Sequence, residues 1–514
     1  AGVFDIFADL GMLVLHSAYI VTRTGEAILF SGPSGIGKST QAALWQRCAG
    51  ARVVNGDRAL VDVGKKTANG IFYAGTSGIS ENVTAPVRAI VLLGQGSENR
   101  VFVPSPQAAS PTCRSCVWIV CRTPRRSKPC GANWEVSDME HTGAEPRLSA
   151  YLHARACANG IPLAGTFELT PRCNFNCRMC YVHLTPEEQR RRGAELTADE
   201  WLAIAEQARS QGMLFLLLTG GEPLIRADFR YLLTELKKMG LMVSINSNAS
   251  LIDDDWLDFF RHEPPSRMNI TLYGGCNETY ERLCGRPMYD RVVHNIRALK
   301  ALGIGVKLNA SMTPYNVEDM DAIYAIATEL GTPVQMASYM FPPVRRDEHA
   351  TGSNDRFTFQ EAAACSVRWD RLRFSDEVFC QRAEAMRAGI RAPESEVCDG
   401  TPGEKMACRA GRSSFWINWR GVMTPCGMMV QPDVSVPELG FARAWEETKA
   451  ATARILLPPA CTQCEYKHMC HACAAMCVTE TGAFDGRPEY VCAMTKATAA
   501  LTQSAYERMN THEA

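Results

Sequence analysis

Between Gly165 and Pro343, six short apolar runs (TFELT, FLLLT, MVSIN, MNITLY, GVKLNAS and VQMASYM) alternate with stretches of helical periodicity at Ala198 to Ser210, Asp228 to Met239, Tyr289 to Ala301 and Val317 to Leu330. No other feature restricts the fold as much. Parallel strands cannot be joined by a tight hairpin, so each return needs a crossover long enough for a helix. Strand and helix in this alternation predict an α/β fold, a partial (β/α)6 barrel, open or partly closed. The loops that follow the strands then gather on one face, where such folds carry their chemistry.

Around this array the pattern changes. Residues 1–103 read as a small α/β unit in which only Ser39 to Arg47 is clearly helical. Residues 104–150, with six prolines and the basic knot RTPRRSKPC, read as an irregular linker. The β/α core occupies 151–357, connecting helices 358–397 (helical periodicity runs from Thr358 to Ala388), and a cysteine-rich domain 398–514. Lys and Arg number 54 against 55 Asp and Glu, so no positive field exists to recruit nucleic acid or acidic lipid. The longest apolar run, around Met213 to Leu218, is too short to span a bilayer. The opening AGVFDIFADL carries neither the basic start nor the cleavage site of a signal peptide. A cytoplasmic chain with no membrane and no nucleic-acid partner is expected. In a reducing compartment 22 cysteines form no disulfide framework, and clustered thiols there more often hold metal.

Directly after the first strand comes T-P-R-C-N-F-N-C-R-M-C-Y, placing Cys173, Cys177 and Cys180 at C-x3-C-x2-C spacing in one loop. Three thiolates leave a four-iron cluster one ligand short, an open position of the kind that catalytic metal sites keep. A zinc knuckle is the competing reading. The second strand ends in Thr219, Gly220, Gly221, Glu222 and Pro223, on the same face. Glycines there let a ligand approach the backbone, and Pro223 stiffens the loop. This pair of motifs, in this order, resembles the radical S-adenosylmethionine superfamily over about residues 160 to 345. The resemblance implies that Cys173, Cys177 and Cys180 bind three irons of a [4Fe–4S] cluster and that the fourth iron takes S-adenosylmethionine. Gly220, Gly221 and Glu222 would receive its amino group. Ser247, Asn248 and Asn309 would contact its ribose. Met179 stands where that family often has an aromatic residue. The implied chemistry is one-electron cleavage to methionine and a 5′-deoxyadenosyl radical, with a flavodoxin or ferredoxin as electron donor.

The tail reads Cys398-x9-Cys408-x17-Cys426, then Cys461-x2-Cys464-x5-Cys470-x2-Cys473-x3-Cys477-x14-Cys492. Nine thiols suffice for two four-cysteine clusters or for one or two structural zinc sites, and spacing alone leaves both open. With Gly421 ahead of Cys426, the order resembles the SPASM extension of radical enzymes, typical of peptide-modifying members. It implies auxiliary [4Fe–4S] clusters, one on Cys461, Cys464, Cys470 and Cys492. Another would use Cys398, Cys408, Cys426 and either Cys473 or Cys477.

At the front, AILFSGPSGIGKST places Gly32, Gly37, Lys38 and Ser39 between a strand and a helix, the context of a phosphate-binding loop. With His16 and Asp57 it resembles the HPr kinase and phosphoenolpyruvate carboxykinase-like group, which implies ATP and Mg2+. Gly56 departs from that pattern, standing where the group often has an acid. Cys113, Cys116, Cys121 and Cys130 offer a weak zinc-site reading. Cys48, Cys157, Cys276, Cys284, Cys365 and Cys380 read as buried or incidental thiols, and Tyr273 as a pocket-lining or packing residue. The leading expectation is a radical enzyme that cross-links or oxidises a peptide or protein side chain, as in ribosomal peptide maturation. The alternatives are an ATP-binding kinase-like protein with structural metal-binding cysteine domains, and a non-catalytic peptide-binding module.

Overall fold

The computed structural model describes residues 12–31, 38–62, 65–70, 79–94, 100–102, 116–120, 148–352, 355–389, 405–406 and 408–511. It divides into two compact units, Ala1–Ala154 and Arg155–Ala514. Among the described residues no helix is long and apolar enough to cross a membrane.

The first unit is built on eight strands: β1 (Met12–Val21), β2 (Ala27–Ser31), β3 (Arg52–Asn55), β4 (Arg58–Asp62), β5 (Thr67–Gly70), β6 (Thr84–Gly94), β7 (Arg100–Phe102) and β8 (Cys116–Val120). The long β1 pairs with β4 through its first half and with β2 through its second. Because β6 pairs with both β5 and β2, the circuit closes on itself. Alternation along β1 sends Ala18 and Ile20 to one apolar cluster, with Ala42 of helix Lys38–Ala49, and Tyr19 to another, with Leu29 and Val54. Strand β8 lies inside the stretch expected to be irregular. It pairs parallel with β6 and antiparallel with β7. Its run CVWIV is short and flanked by proline-rich sequence, so an edge already formed by β6 supplies what local periodicity does not announce. Cys116 begins this strand, whereas Cys113, Cys121 and Cys130 lie outside the described residues.

In the second unit six strands follow one another: β9 (Ala164–Glu168), β10 (Phe215–Thr219), β11 (Met242–Ser247), β12 (Arg267–Thr271), β13 (Val306–Ser311) and β14 (Val334–Ala337). Each is parallel to the next. Capping boxes fix helix starts: Thr197 and Glu200 open Ala198–Ser210, and Thr358 and Glu361 open Phe359–Arg373. The expected helix from Thr358 to Ala388 is interrupted at Phe374, and Ser375 caps a second helix, Asp376–Arg387.

The array is an open partial barrel because β9 is already paired on its other side. There β15 (Ser414–Ile417) runs parallel to it, continued antiparallel by β16 (Val422–Thr424) and β17 (Val434–Ser435). Nothing but hydrogen fits at Gly165 on β9, where a Cβ would sit 2.6 Å from the Phe415 ring and 2.7 Å from Met213 Sδ.

The strands are not uniformly apolar. Leu218, Ile245, Met268, Ile270 and Leu308 pack on helix residues such as Leu232, Leu233, Ile296 and Ile323. On the opposite face the register aligns Asn246, Asn269 and Lys307, then Thr271, Asn309 and Gln335. A packed barrel would fill that face with branched apolar chains; here Phe215, Leu217 and Met242 lie on it near β10, while the aligned positions named on β11 to β14 are polar.

Trp445 of helix Phe441–Thr452 is buried against Phe415, and its indole N–H donates to the Gly160 carbonyl at 2.8 Å. Trp445→Ala is expected to destabilise the second unit by about 3–5 kcal/mol, read as a lowered denaturation midpoint, with Trp445→Phe costing less.

Candidate active site

The loop after β9 is held in shape by its own backbone and by a neighbouring helix. Asn176 N–H donates to the Cys284 carbonyl at 3.0 Å and Arg178 N–H to the Leu283 carbonyl at 3.1 Å, docking the loop on the end of helix Asn277–Cys284. Two ligand-type sulfurs accept backbone hydrogen bonds: Cys173 Sγ from Phe175 N–H and Cys180 Sγ from His183 N–H, each at 3.3 Å. Burial pushes the Cys173 thiol up to about 12 and raises that of Cys180. For Cys177 the largest effect is hydrogen bonding with the Cys284 thiol, followed by burial; both push it well above the usual range, and the Tyr273 hydroxyl opposes them. Cys284, an incidental thiol by sequence, therefore lies against the middle cysteine of the triad. Only its place at a helix end hinted at this.

The glycines of the second loop lie against the cysteine loop. A Cβ on Gly220 would meet the Thr170 carbonyl oxygen at 2.5 Å, and one on Gly221 the Arg172 carbonyl oxygen at 2.2 Å. They make room for the cysteine loop itself. Gly221 N–H donates to Thr170 O at 2.8 Å and Glu222 N–H to Arg172 O at 2.9 Å, zipping the two loops together. Two residues absent from the expected set reinforce the junction. Glu195 bonds Thr170, Arg172 and Arg226, and Arg226 donates to the Leu169 carbonyl at 2.9 Å.

Glu222 is fully buried. Its carboxylate accepts from Ser247 Oγ at 3.0 Å, Asn248 N–H at 2.8 Å and Leu224 N–H at 3.1 Å. Burial outweighs these donors and lifts its pKa to about 7. Three donated hydrogens leave about one of its four lone-pair sites open, and no ion-pair partner of it occurs among the described residues.

Ser247 thus braces Glu222, its hydroxyl within reach of both carboxylate oxygens at 3.0 and 3.1 Å. The Asn248 side chain donates to Asn174 Oδ1 at 2.9 Å and reaches Cys173 Sγ at 3.8 Å, locking the cysteine loop onto β11. Asn309 is half-buried on the polar face, in register with Thr271 and Gln335. Met179 is buried in the core. Tyr273 packs against Phe175 and Tyr280.

In the tail, the charges of Cys408 and Cys426 both act on Cys473, whose thiol burial pushes up to about 12. A separate cavity of about 210 Å³ is lined by Cys461, Cys464, Cys470, Cys477 and Cys492, with Lys467, Arg487 and Lys496 around it. Cys473 faces the first group, and Cys477, buried, faces the cavity. Cys398 lies outside the described residues. Among the described residues no three His, Cys, Asp or Glu side chains close on a single metal ion; a cubane spreads its sulfur ligands over separate irons.

In the first unit Lys38 is buried, and burial lowers its pKa while Asp57 raises it. Ser39 Oγ donates to the Gly56 carbonyl at 3.3 Å, and His16 pairs with Asp57 at 3.1 Å. Gly32 and Gly37 lie outside the described residues.

Residues 167–327 match the family model of the Radical SAM superfamily. The AdoMet-dependent heme synthase of Methanosarcina barkeri is 26% identical over 336 residues, covering 62% of this chain and 92% of that protein. The PqqA peptide cyclase of Gluconobacter oxydans is 29% identical over 171 residues, covering 33% of this chain and 47% of that one. Among solved structures, Streptococcus suis SuiB shares the fold with a TM-score of 0.50 at 18% identity, over 67% of this chain and 81% of that one.

Gly221→Ala is expected to push the two loops apart and lower iron uptake on anaerobic reconstitution several-fold, with the far-ultraviolet circular dichroism retained. Glu222 titrates at 4.5 when unfolded and at about 7 when folded, so the folded state holds the extra proton between those values. The stability this supplies to the iron-free protein is whole below pH 4.5 and is lost as pH rises through about 7. Melting temperature across that window is expected to fall more steeply for the native chain than for Glu222→Gln.

Proposed function

We propose that this chain, an enzyme of the radical SAM superfamily, modifies a side chain of a peptide or protein substrate. The family implies one [4Fe–4S] cluster and S-adenosylmethionine, and the residues present suit both. Cys173, Cys177 and Cys180 would hold three irons, with the N–H groups of Phe175 and His183 already directed at two of the sulfurs. Glu222, a buried carboxylate with a lone-pair site to spare and no cation beside it, suits the methionyl ammonium. When bound, the cluster and S-adenosylmethionine supply hydrogen-atom abstraction from the substrate, started by a single electron.

The protein's own part is placement. Ser247 and the Asn248 N–H orient the Glu222 carboxylate, and the Asn248 and Asn174 side chains hold the cysteine loop beside it. Phe175, Tyr273 and Tyr280 form an aromatic wall that keeps water from the sulfurs. Gly220, Gly221 and Asn309 keep their proposed contacts with S-adenosylmethionine through backbone or side-chain polar atoms on the same strand ends.

The observation that carries the peptide reading is the polar sheet face. Asn246, Asn269, Lys307, Asn309 and Gln335 present amide and ammonium groups that match peptide N–H and C=O. Among the described residues the buried side-chain oxygen of Asn269 has no protein donor. The tail would hold two further clusters, one on Cys461, Cys464, Cys470 and Cys492 and the other on Cys398, Cys408, Cys426 and Cys473. A flavodoxin or ferredoxin would deliver the electron. A heme-forming reaction is the second reading, favoured by the longer match to the heme synthase.

The chain, reconstituted without oxygen and given reductant and S-adenosylmethionine, is expected to form 5′-deoxyadenosine and to remove two hydrogens from a peptide encoded beside its gene, seen by mass spectrometry. Cys173→Ala is expected to abolish both products. An unchanged peptide, together with conversion of a carboxylated tetrapyrrole, would replace the peptide reading with the second one.

A further inference from the structure

A buried network joins the cysteine loop after β9 to the Cys408, Cys426 and Cys473 group of the tail. At its centre is Glu168, the last residue of β9, whose side chain is 1% exposed. Its carboxylate accepts from Arg345 Nη2 at 2.7 Å and from the Trp416 indole N–H at 3.0 Å. The other arm of Arg345 donates to the Gly427 carbonyl at 2.9 Å, one residue beyond Cys426. The guanidinium also lies 5.8 Å from the ring of Tyr181, the residue after Cys180, and 5.8 Å from that of Trp416. Gly427 is pressed on Trp416, where a Cβ would fall 2.6 Å from the ring.

Stability alone does not account for an ion pair in this place. Taking two charges out of water is costly, and apolar replacements of buried pairs are often neutral or better. The position of Arg345 offers another reason. Its Nη1 hydrogen bond to the Gly427 carbonyl seats the guanidinium beside the loop that carries Cys426. A cluster on thiolates carries net negative charge that grows on reduction, and hydrogen bonds and nearby charge are the levers that set its potential.

We infer that Arg345 is a positioning residue for the auxiliary site at Cys408, Cys426 and Cys473, where its guanidinium, aimed by Glu168, offsets the negative charge gained when a cluster there accepts an electron. The inference rests on the proposed cofactor reading of the tail. It assigns Glu168, Trp416 and Tyr181 to holding the guanidinium in place. Because Glu168 ends β9 and Tyr181 follows Cys180, the same network fixes the distance between this site and the three-thiol loop.

The test uses the full chain with Cys173, Cys177 and Cys180 changed to Ala, so that only tail centres remain, reconstituted without oxygen and titrated with dithionite under electron paramagnetic resonance. Arg345→Met is combined with Glu168→Gln, since the single change would strand a buried carboxylate. The pair is expected to shift one centre to a lower midpoint potential, leave the Cys461, Cys464, Cys470 and Cys492 centre unmoved as an internal reference, and be restored by Arg345→Lys with Glu168 intact. Unchanged potentials at full iron content overturn the inference. Loss of the centre in the neutral pair with retention in Arg345→Lys supports it, because only the second protein keeps a cation at this position. Loss in both assigns the network to packing and overturns it. If the parent protein takes up no tail iron, the cofactor reading fails first and this inference with it.

Discussion

The site depends on a close backbone approach. Two successive N–H groups, of Gly221 and Glu222, donate to the carbonyls of Thr170 and Arg172. That contact is possible only because the second loop lacks side chains at Gly220 and Gly221. Once the two loops are joined, the rest follows from geometry. Glu222 is carried into the interior, where the end of β11 meets it with a hydroxyl and an N–H. Asn248 on the same strand end reaches back to the cysteine loop. Three strand ends thereby define one small volume. The cost is a carboxyl group buried without a cation, which is why it holds its proton to an unusual pH.

Much of this was legible in the sequence. The parallel array was visible because each strand and each helix carries its own local signal, and capping pairs such as Thr197 with Glu200 mark helix starts within three residues. The cysteine spacings placed a loop at the right strand end. What was not legible is contact between segments far apart in the chain. Cys284 sits 107 positions after Cys177 and has no neighbouring motif, yet the fold sets the two thiols together. Glu195 and Arg226 look like ordinary surface charges until the loops they bind are closed. Ser247 fell on the expected strand end, but its orientation toward Glu222 could be read only from coordinates.

The choice between Cys473 and Cys477 shows the same limit. Two spacings of nearly equal merit differ by which side of a turn each thiol faces. Cys473 precedes helix Ala474–Thr481 and turns to Cys408 and Cys426, while Cys477, one helical turn on, points to the cavity of the other group. A four-residue step on a helix keeps side chains on one face, but here the first of the pair is the cap, with extended backbone, and so aims elsewhere.

The insertion of β15 beside β9 has a consequence for how such an architecture arises and can be dismantled. In an open sheet the terminal strand exposes a row of unsatisfied N–H and C=O groups, a template for association with other chains. Here that liability is moved from β9, the strand that leads into the cysteine loop, to the two-residue β17. A truncation before Ser414 would therefore not release a smaller working enzyme. It would leave the strand that leads into the cysteine loop as a bare, sticky margin, an edge that the C-terminal segment otherwise covers.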